Sequence, residues 1–151
     1  MAARDTVRLS LRLLTTSRLI EREVDALMRA RFGSTIARFD FLAALDRHGA
    51  LTLGEVSQYL LVSNGNVTQL STRLKADGLI ESDASAGDRR VRRVRLTARG
   101  EGVFKNMAKA HANLIDRLLG DLSQSEKSAL MRLTDGAKAS IRRTLSKGAA
   151  P

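Results

Sequence analysis

The only proline in this 151-residue chain is its last residue, Pro151. Proline removes a backbone donor and clashes with the preceding helical turn, so its absence from the body leaves long helices unobstructed. The apolar residues use that freedom. Over residues 6–31, Leu9, Leu13, Ile20, Val24, Leu27 and Met28 recur at spacings near three, four and seven, a helical stripe that Leu11, Leu14 and Leu19 widen. Residues 1–20, rich in Arg, Ser, Thr and Leu, resemble a transit peptide in composition. The same texture continues through Met28 with Glu21, Glu23 and Asp25 interleaved, however, which fits a structural helix. Gly33 and Ser34 punctuate the chain, and a second helix is expected over 36–47, with Phe39, Leu42, Ala43 and Leu45 inward. It ends at Gly49, with His48 as a cap.

Two shorter helices follow. Thr52 and Glu55 stand in the Thr-x-x-Glu relation of a capping box, in which each side chain satisfies a free backbone donor at a helix start. The helix it opens, over 54–60, carries Val56, Tyr59 and Leu60. Ser63 suits the N-cap of a helix over 64–76 with Val67, Leu70 and Leu74 on one face, stopped by a left-handed Gly78. There the helical period ceases. Leu79-Ile80 begins a strand, 85–88 is turn material, and 91–96 alternates, with Val94 and Leu96 on one face and Arg93 and Arg95 on the other, a β-hairpin. Thr97 caps a helix over 98–119, and Ser123 with Glu126 forms a second capping box opening a last helix that runs to about residue 146. Residues 147–151 read as a frayed tail.

Composition narrows the function. Lys and Arg number 26 against 16 Asp and Glu, a net charge of +10 that favours an acidic partner. Aromatics make up only 3%, too few for the base-stacking platforms of single-strand binders. With no cysteine there is no disulfide, thiol nucleophile, thiol redox sensor or Cys-ligated metal. No apolar run approaches the ~18–20 residues that span a bilayer, so a soluble protein with no membrane partner is expected. His48 and His111 lack metal-ligand spacing. No nucleophile elbow, phosphate-binding glycine loop or paired carboxylates can be recognised, so neither an enzyme nor a cofactor is expected.

Half of the net charge sits in one tenth of the chain. Residues 85–99 hold Arg89, Arg90, Arg92, Arg93, Arg95 and Arg99 against Asp88 alone. All six cations are arginine, whose planar fork suits phosphates and narrow grooves. They follow two helices in the helix–turn–helix arrangement that lays its second helix in a DNA major groove. The reading is duplex-DNA binding, against a merely solvated basic loop.

These residues also carry a resemblance. Asp88-Arg89-Arg90-Val91-Arg92-Arg93-Val94-Arg95-Leu96-Thr97-Ala98-Arg99-Gly100 resembles the Asp-x-Arg…Leu-Thr-x-x-Gly wing signature of the MarR family of winged helix–turn–helix regulators. Upstream, Arg38-Phe39-Asp40-Phe41-Leu42-Ala43-Ala44-Leu45, Leu53-Gly54-Glu55-Val56, Asn66-Val67-Thr68-Gln69-Leu70 and Arg73-Leu74-Lys75-Ala76-Asp77-Gly78-Leu79-Ile80 agree in order and spacing. The resemblance implies a mainly α fold with a small β-hairpin wing, one domain over 1–151. Within it a winged helix–turn–helix lobe spans 36–97, and helices from both termini, 6–34 and 98–146, make a homodimer. It also implies bacterial origin, a cytoplasmic location, and a sequence-specific regulator that reads a pseudo-palindromic operator.

Candidate base and phosphate contacts on the recognition helix are Ser63, Asn64, Asn66, Thr68, Gln69, Thr72 and Arg73, since Asn and Gln can read adenine and Arg guanine. On the wing they are Asp88, Arg89, Arg90 and Arg92, the resemblance pairing Asp88 with Arg90 and sending Arg89 to the minor groove. It further implies repression relieved by a small aromatic or acidic ligand, an aromatic acid or its coenzyme A thioester, with Arg18, Arg38, Phe41 and His111 as pocket candidates. Arg18 and Arg38 would either neutralise its carboxylate or make structural salt bridges. The alternative from the residues alone is a ligand-independent architectural DNA-binding protein.

Overall fold

The computed structural model describes residues 2–60, 66–83 and 90–148. The chain divides into two compact units, Met1–Leu114 and Ile115–Pro151. In order, its elements are α1 (Ala2–Phe32), α2 (Ile36–His48), β1 (Leu51–Thr52), α3 (Leu53–Tyr59), α4 (Val67–Ala76), β2 (Ile80–Asp83), β3 (Arg93–Leu96), α5 (Ala98–Leu118) and α6 (Gln124–Gly148). The mainly helical fold with a small antiparallel sheet is the one expected.

The core of the first unit is built around α2. Thr35 is its N-cap, the hydroxyl oxygen accepting from Arg38 N at 3.2 Å. Gly49, at φ 77°, ends it by donating to Leu45 O. Phe39, Phe41, Leu42, Ala44 and Leu45 are all buried, so the helix is covered on more than one side. Packed against it are α1, α3, α4 and β3. Val24 and Met28 of α1, Val56 of α3, Leu74 of α4 and Val94 of β3 join this core. Each large side chain withdrawn from water here contributes roughly 1.5–3 kcal/mol.

Of the α1 stripe, Val24 and Met28 are buried, whereas Leu9 and Leu13 are 55% and 40% exposed. One expectation about burial is corrected. Phe41, assigned above to a ligand pocket, is fully buried in the core. A helix enclosed on several sides cannot be read as one inward stripe, and the sequence reading had taken Ala43 in place of Phe41.

The hairpin is two strands of a three-stranded sheet in the order β1-β3-β2, all antiparallel. Leu51 faces Val94 across one pair, and Ile80 and Ser82 face Leu96 and Val94 across the other. The two-residue β1 was not anticipated, being too short to show any alternation. Both capping boxes are present. Glu55 Oε2 accepts from Thr52 N at 2.8 Å while Thr52 Oγ1 accepts from Glu55 N at 3.1 Å, and Ser123 and Glu126 repeat the exchange. The last helix continues through Gly148, past the expected fraying point.

Where the sheet hands over to α5 the backbones nearly touch. Thr97 N donates to Leu79 O at 3.1 Å, and the Thr97 hydroxyl donates to Gly78 O at 2.6 Å while accepting from Gly100 N at 2.9 Å. A Cβ on Gly100 would lie 1.9 Å from Leu79 O, a separation no side chain can occupy. The glycine of the Leu-Thr-x-x-Gly motif is therefore required by close backbone approach.

Candidate nucleic-acid interface

The helix α4 presents two unlike faces. Ser71 and Leu74 are buried, and Val67 and Leu70 are half-buried. Asn66, Thr68, Gln69, Thr72 and Arg73 are all exposed. Residues three and four apart share a helix face, so Gln69, Thr72 and Arg73 form one polar surface with Thr68 beside them. The expected Ser63 cap is corrected: α4 starts at Val67 and its N-cap is Asn66, whose Oδ1 accepts from Gln69 N at 3.1 Å. That bond engages one lone pair of the oxygen Asn66 would use to read adenine, leaving the second lone pair and both amide donors. Thr72 spends its hydroxyl proton on Thr68 O at 3.0 Å. Gln69 and Arg73 keep their side-chain polar groups unpaired among the described residues. Ser63 and Asn64 lie outside the described residues.

The basic hairpin has ion pairs along its stem. On β3, Arg93 donates to Glu55 Oε2 at 3.0 Å and to Ala50 O at 3.3 Å. Arg95 donates to Glu81 Oε1 at 3.0 Å and lies 3.7 Å from Asp83 Oδ1. Arg93 and Arg95 thus already face carboxylates, which corrects the picture of an unopposed charge run. The sequence count missed this because Glu55, Glu81 and Asp83 lie outside the 85–99 window. Glu55 serves Thr52 N and Arg93 through the same oxygen, and these donors, the Thr52 amide foremost, hold its pKa below the usual value. The sheet is thereby tied to the start of α3. Arg90 and Arg92 are exposed at the upper end of the stem. Asp88 and Arg89 lie outside the described residues.

The four ligand candidates lie on α1, α2 and α5. Arg18 is exposed on α1. Arg38 on α2 is ion-paired to Asp77. Phe41 is core. Half-buried His111 lies tilted against Phe39 with ring centroids 5.0 Å apart, and Phe39 in turn stacks on Phe104 at 5.7 Å. Burial lowers the His111 pKa, favouring the neutral ring. A cleft of about 370 Å³ lies elsewhere, lined by Leu45, Asp46, Asp83, Arg95, Leu96 and Glu101 among others, and none of the four candidates borders it. His48 is not a cap. Gly49 holds that position, and the His48 ring stacks on Tyr59 with centroids 4.0 Å apart.

Roles missed in the sequence are those of Asp77 and Asp40, and the pairing of the capping residue Glu55 with Arg93. Asp40 is half-buried with Oδ2 lacking any partner, and burial first, then the nearby charge of Glu21, pushes its pKa up to about 6. Among the described residues no cluster of three or more His, Cys, Asp or Glu could hold a metal, and no helix is long and apolar enough to cross a membrane.

An exposed polar α4 behind α3, followed by a β2–β3 hairpin packed on a short third strand, defines a winged helix–turn–helix protein. The MarR family model matches residues 32–91. Over 102 residues the chain is 29% identical to the HTH-type transcriptional repressor MdtR of Bacillus subtilis (strain 168), covering 68% of this chain and 66% of that one. With the HTH-type transcriptional regulator PecS of Dickeya dadantii (strain 3937) it shares 27% over 124 residues, covering 80% and 74%. The chain therefore spans two thirds to three quarters of these relatives' length. A crystal structure of a MarR family transcriptional regulator from Silicibacter pomeroyi superposes with a TM-score of 0.80 at 28% identity, covering 93% of this chain and 97% of that one. Together these matches support a MarR-family winged helix–turn–helix regulator.

Proposed function

We propose that this chain is a homodimeric repressor that binds a pseudo-palindromic operator in duplex DNA and is released by a small aromatic or acidic ligand. The observation that carries this reading is the exposed surface of Thr68, Gln69, Thr72 and Arg73 on a helix whose opposite face is buried, accompanied by a hairpin with Arg90 and Arg92 exposed. A helix so anchored can enter a major groove, and the arginines suit the adjacent backbone or minor groove. Residues 36–97 would form the reading lobe. The helices over 6–34 and 98–146 would meet a second copy, a role supported by the apolar residues left exposed on α1 and α6. Regulation needs the ligand to favour a dimer whose recognition helices no longer match grooves about 34 Å apart. A coupling of about 1–3 kcal/mol suffices. With Arg38 engaged and Phe41 in the core, Arg18 and His111 remain as ligand contacts.

The test is fluorescence anisotropy of the full chain on a duplex from its own upstream region and on a shuffled duplex of equal composition. Preference for the upstream duplex is expected, and equal affinity for both would replace the regulator with an architectural protein. Thermal stabilisation by aromatic acids or their coenzyme A thioesters, together with loss of the DNA complex, would establish the ligand class.

A further inference from the structure

Arg38 and Asp77 both stand at the wrong end of their own helix. Arg38 is the third residue of α2, where unsatisfied amides and the helix dipole favour an anion and where a capping box would place Glu or Gln. Asp77 is the C-cap of α4, where the dipole favours a cation, and the neighbouring Arg73 and Lys75 have the expected sign. Neither charge serves the helix that carries it. They meet across 39 positions of sequence, Arg38 Nη2 donating to Asp77 Oδ2. The pair is not tuned for stability either: Arg38 Nε is buried without a partner, so half of the guanidinium fork goes unused.

What the pair does accomplish is positional. The C-terminal end of α4 is held by Leu79 N on Leu74 O at 3.0 Å and by Gly78 N on Lys75 O at 2.9 Å. Those bonds close the helix but are local, and the Thr97 hydroxyl on Gly78 O ties the turn beyond it to the start of α5. Among the described residues, the Arg38–Asp77 pair alone joins that helix end to α2, the centre of the core, by a charged contact. Among the described residues the end carrying Thr68 and Gln69 shows no ion pair to the core, so a small change at the far end alters where Gln69 and Arg73 sit.

We infer that Arg38 and Asp77 are positioning residues that aim α4, and that they set sequence discrimination rather than general DNA affinity. The inference rests on the DNA-reading function proposed above. It is tested by the same anisotropy titration, with Arg38→Met, Asp77→Asn and the exchanged pair Arg38→Glu with Asp77→Arg. Removing a cation weakens any DNA complex and removing an anion strengthens it, so charge alone moves the two single variants in opposite directions. If the pair aims the helix, both singles lower the ratio of upstream to shuffled affinity by at least about fivefold, the cost of one misplaced base contact. The exchanged pair, its charges now matched to both helix ends, returns the ratio to within about twofold of the parent. Circular dichroism at the assay temperature checks folding, and if Arg38→Met is unfolded there, Asp77→Asn at its exposed site carries the test. Singles that shift both duplexes equally, or an exchanged pair no better than the worse single, would overturn the assignment. A parent that prefers neither duplex removes the DNA-reading function and this role together. A parent with preference and singles that keep it removes this role alone.

Discussion

The helices α1 and α2 carry similar apolar residues to opposite fates. Five of the thirteen residues of α2 are buried. Of the thirty-one residues of α1, only Val24, Met28 and no others among those described are buried apolar ones, while Val7, Leu9, Leu11, Leu13, Leu14 and Leu19 are 40% exposed or more. In the second unit, α6 has no buried residue, with Leu130, Met131, Leu133, Ile141 and Leu145 all exposed. An apolar stripe states that a face avoids water but not whether its own chain supplies the cover. Exposed apolar patches, where contiguous, mark interaction surfaces.

The comparison breaks most forcefully in the core. Leu42→Ala on α2 should lower stability by about 3 kcal/mol through lost burial and the cavity left behind, read by urea denaturation. If the open face of α1 is covered by a second copy, Leu13→Glu should weaken self-association at least about tenfold in sedimentation equilibrium, with the melting temperature losing its dependence on protein concentration. An unchanged oligomeric state would leave that face without its proposed cover.

A smaller effect tests the α1–α2 contact through Asp40. Folding raises its pKa from 3.8 to about 6, so the folded state disfavours the ionised carboxylate. Below about pH 4 the group is protonated in both states and carries no penalty; stability then falls as pH rises towards 6, and the full penalty stands above it. Asp40→Asn should therefore stabilise the protein at pH 7.5 by about 1 kcal/mol, allowing for partial solvent screening, and the gain should vanish near pH 4. Smallest is the same contrast drawn in charge. Arg92→Ala, at an exposed arginine, should reduce the salt slope of DNA binding by about one, whereas Arg95→Ala, already opposed by Glu81 and Asp83, should leave it nearly unchanged.

Features that depend on neighbours along the chain were legible from sequence: the long helices, both capping boxes, left-handed Gly78 and the alternation that puts Val94 and Leu96 on one strand face. Features that depend on distant partners were not. Nothing near Arg93 announces Glu55, and nothing near Arg38 announces Asp77. Phe41 was misplaced because an enclosed helix has no outward side for it to contrast with. The start of α4 was misjudged because Ser63 and Asn66 are both competent caps, and local preference cannot choose between them. The polar face of α4 was readable because its residues recur at helical spacing, while the pairing of Arg95 was not, since its acids lie on the opposite strand.

The contact between Gly100 and Leu79 has a consequence in time as well as space. The Leu79 carbonyl accepts the Thr97 amide proton while the Gly100 backbone presses against it. Water can reach that proton only if α5 lifts from the end of the sheet. In deuterated solvent the Thr97 amide should therefore exchange among the slowest outside the helices, its rate following the opening of the whole lobe rather than the fluctuation of the hairpin beside it.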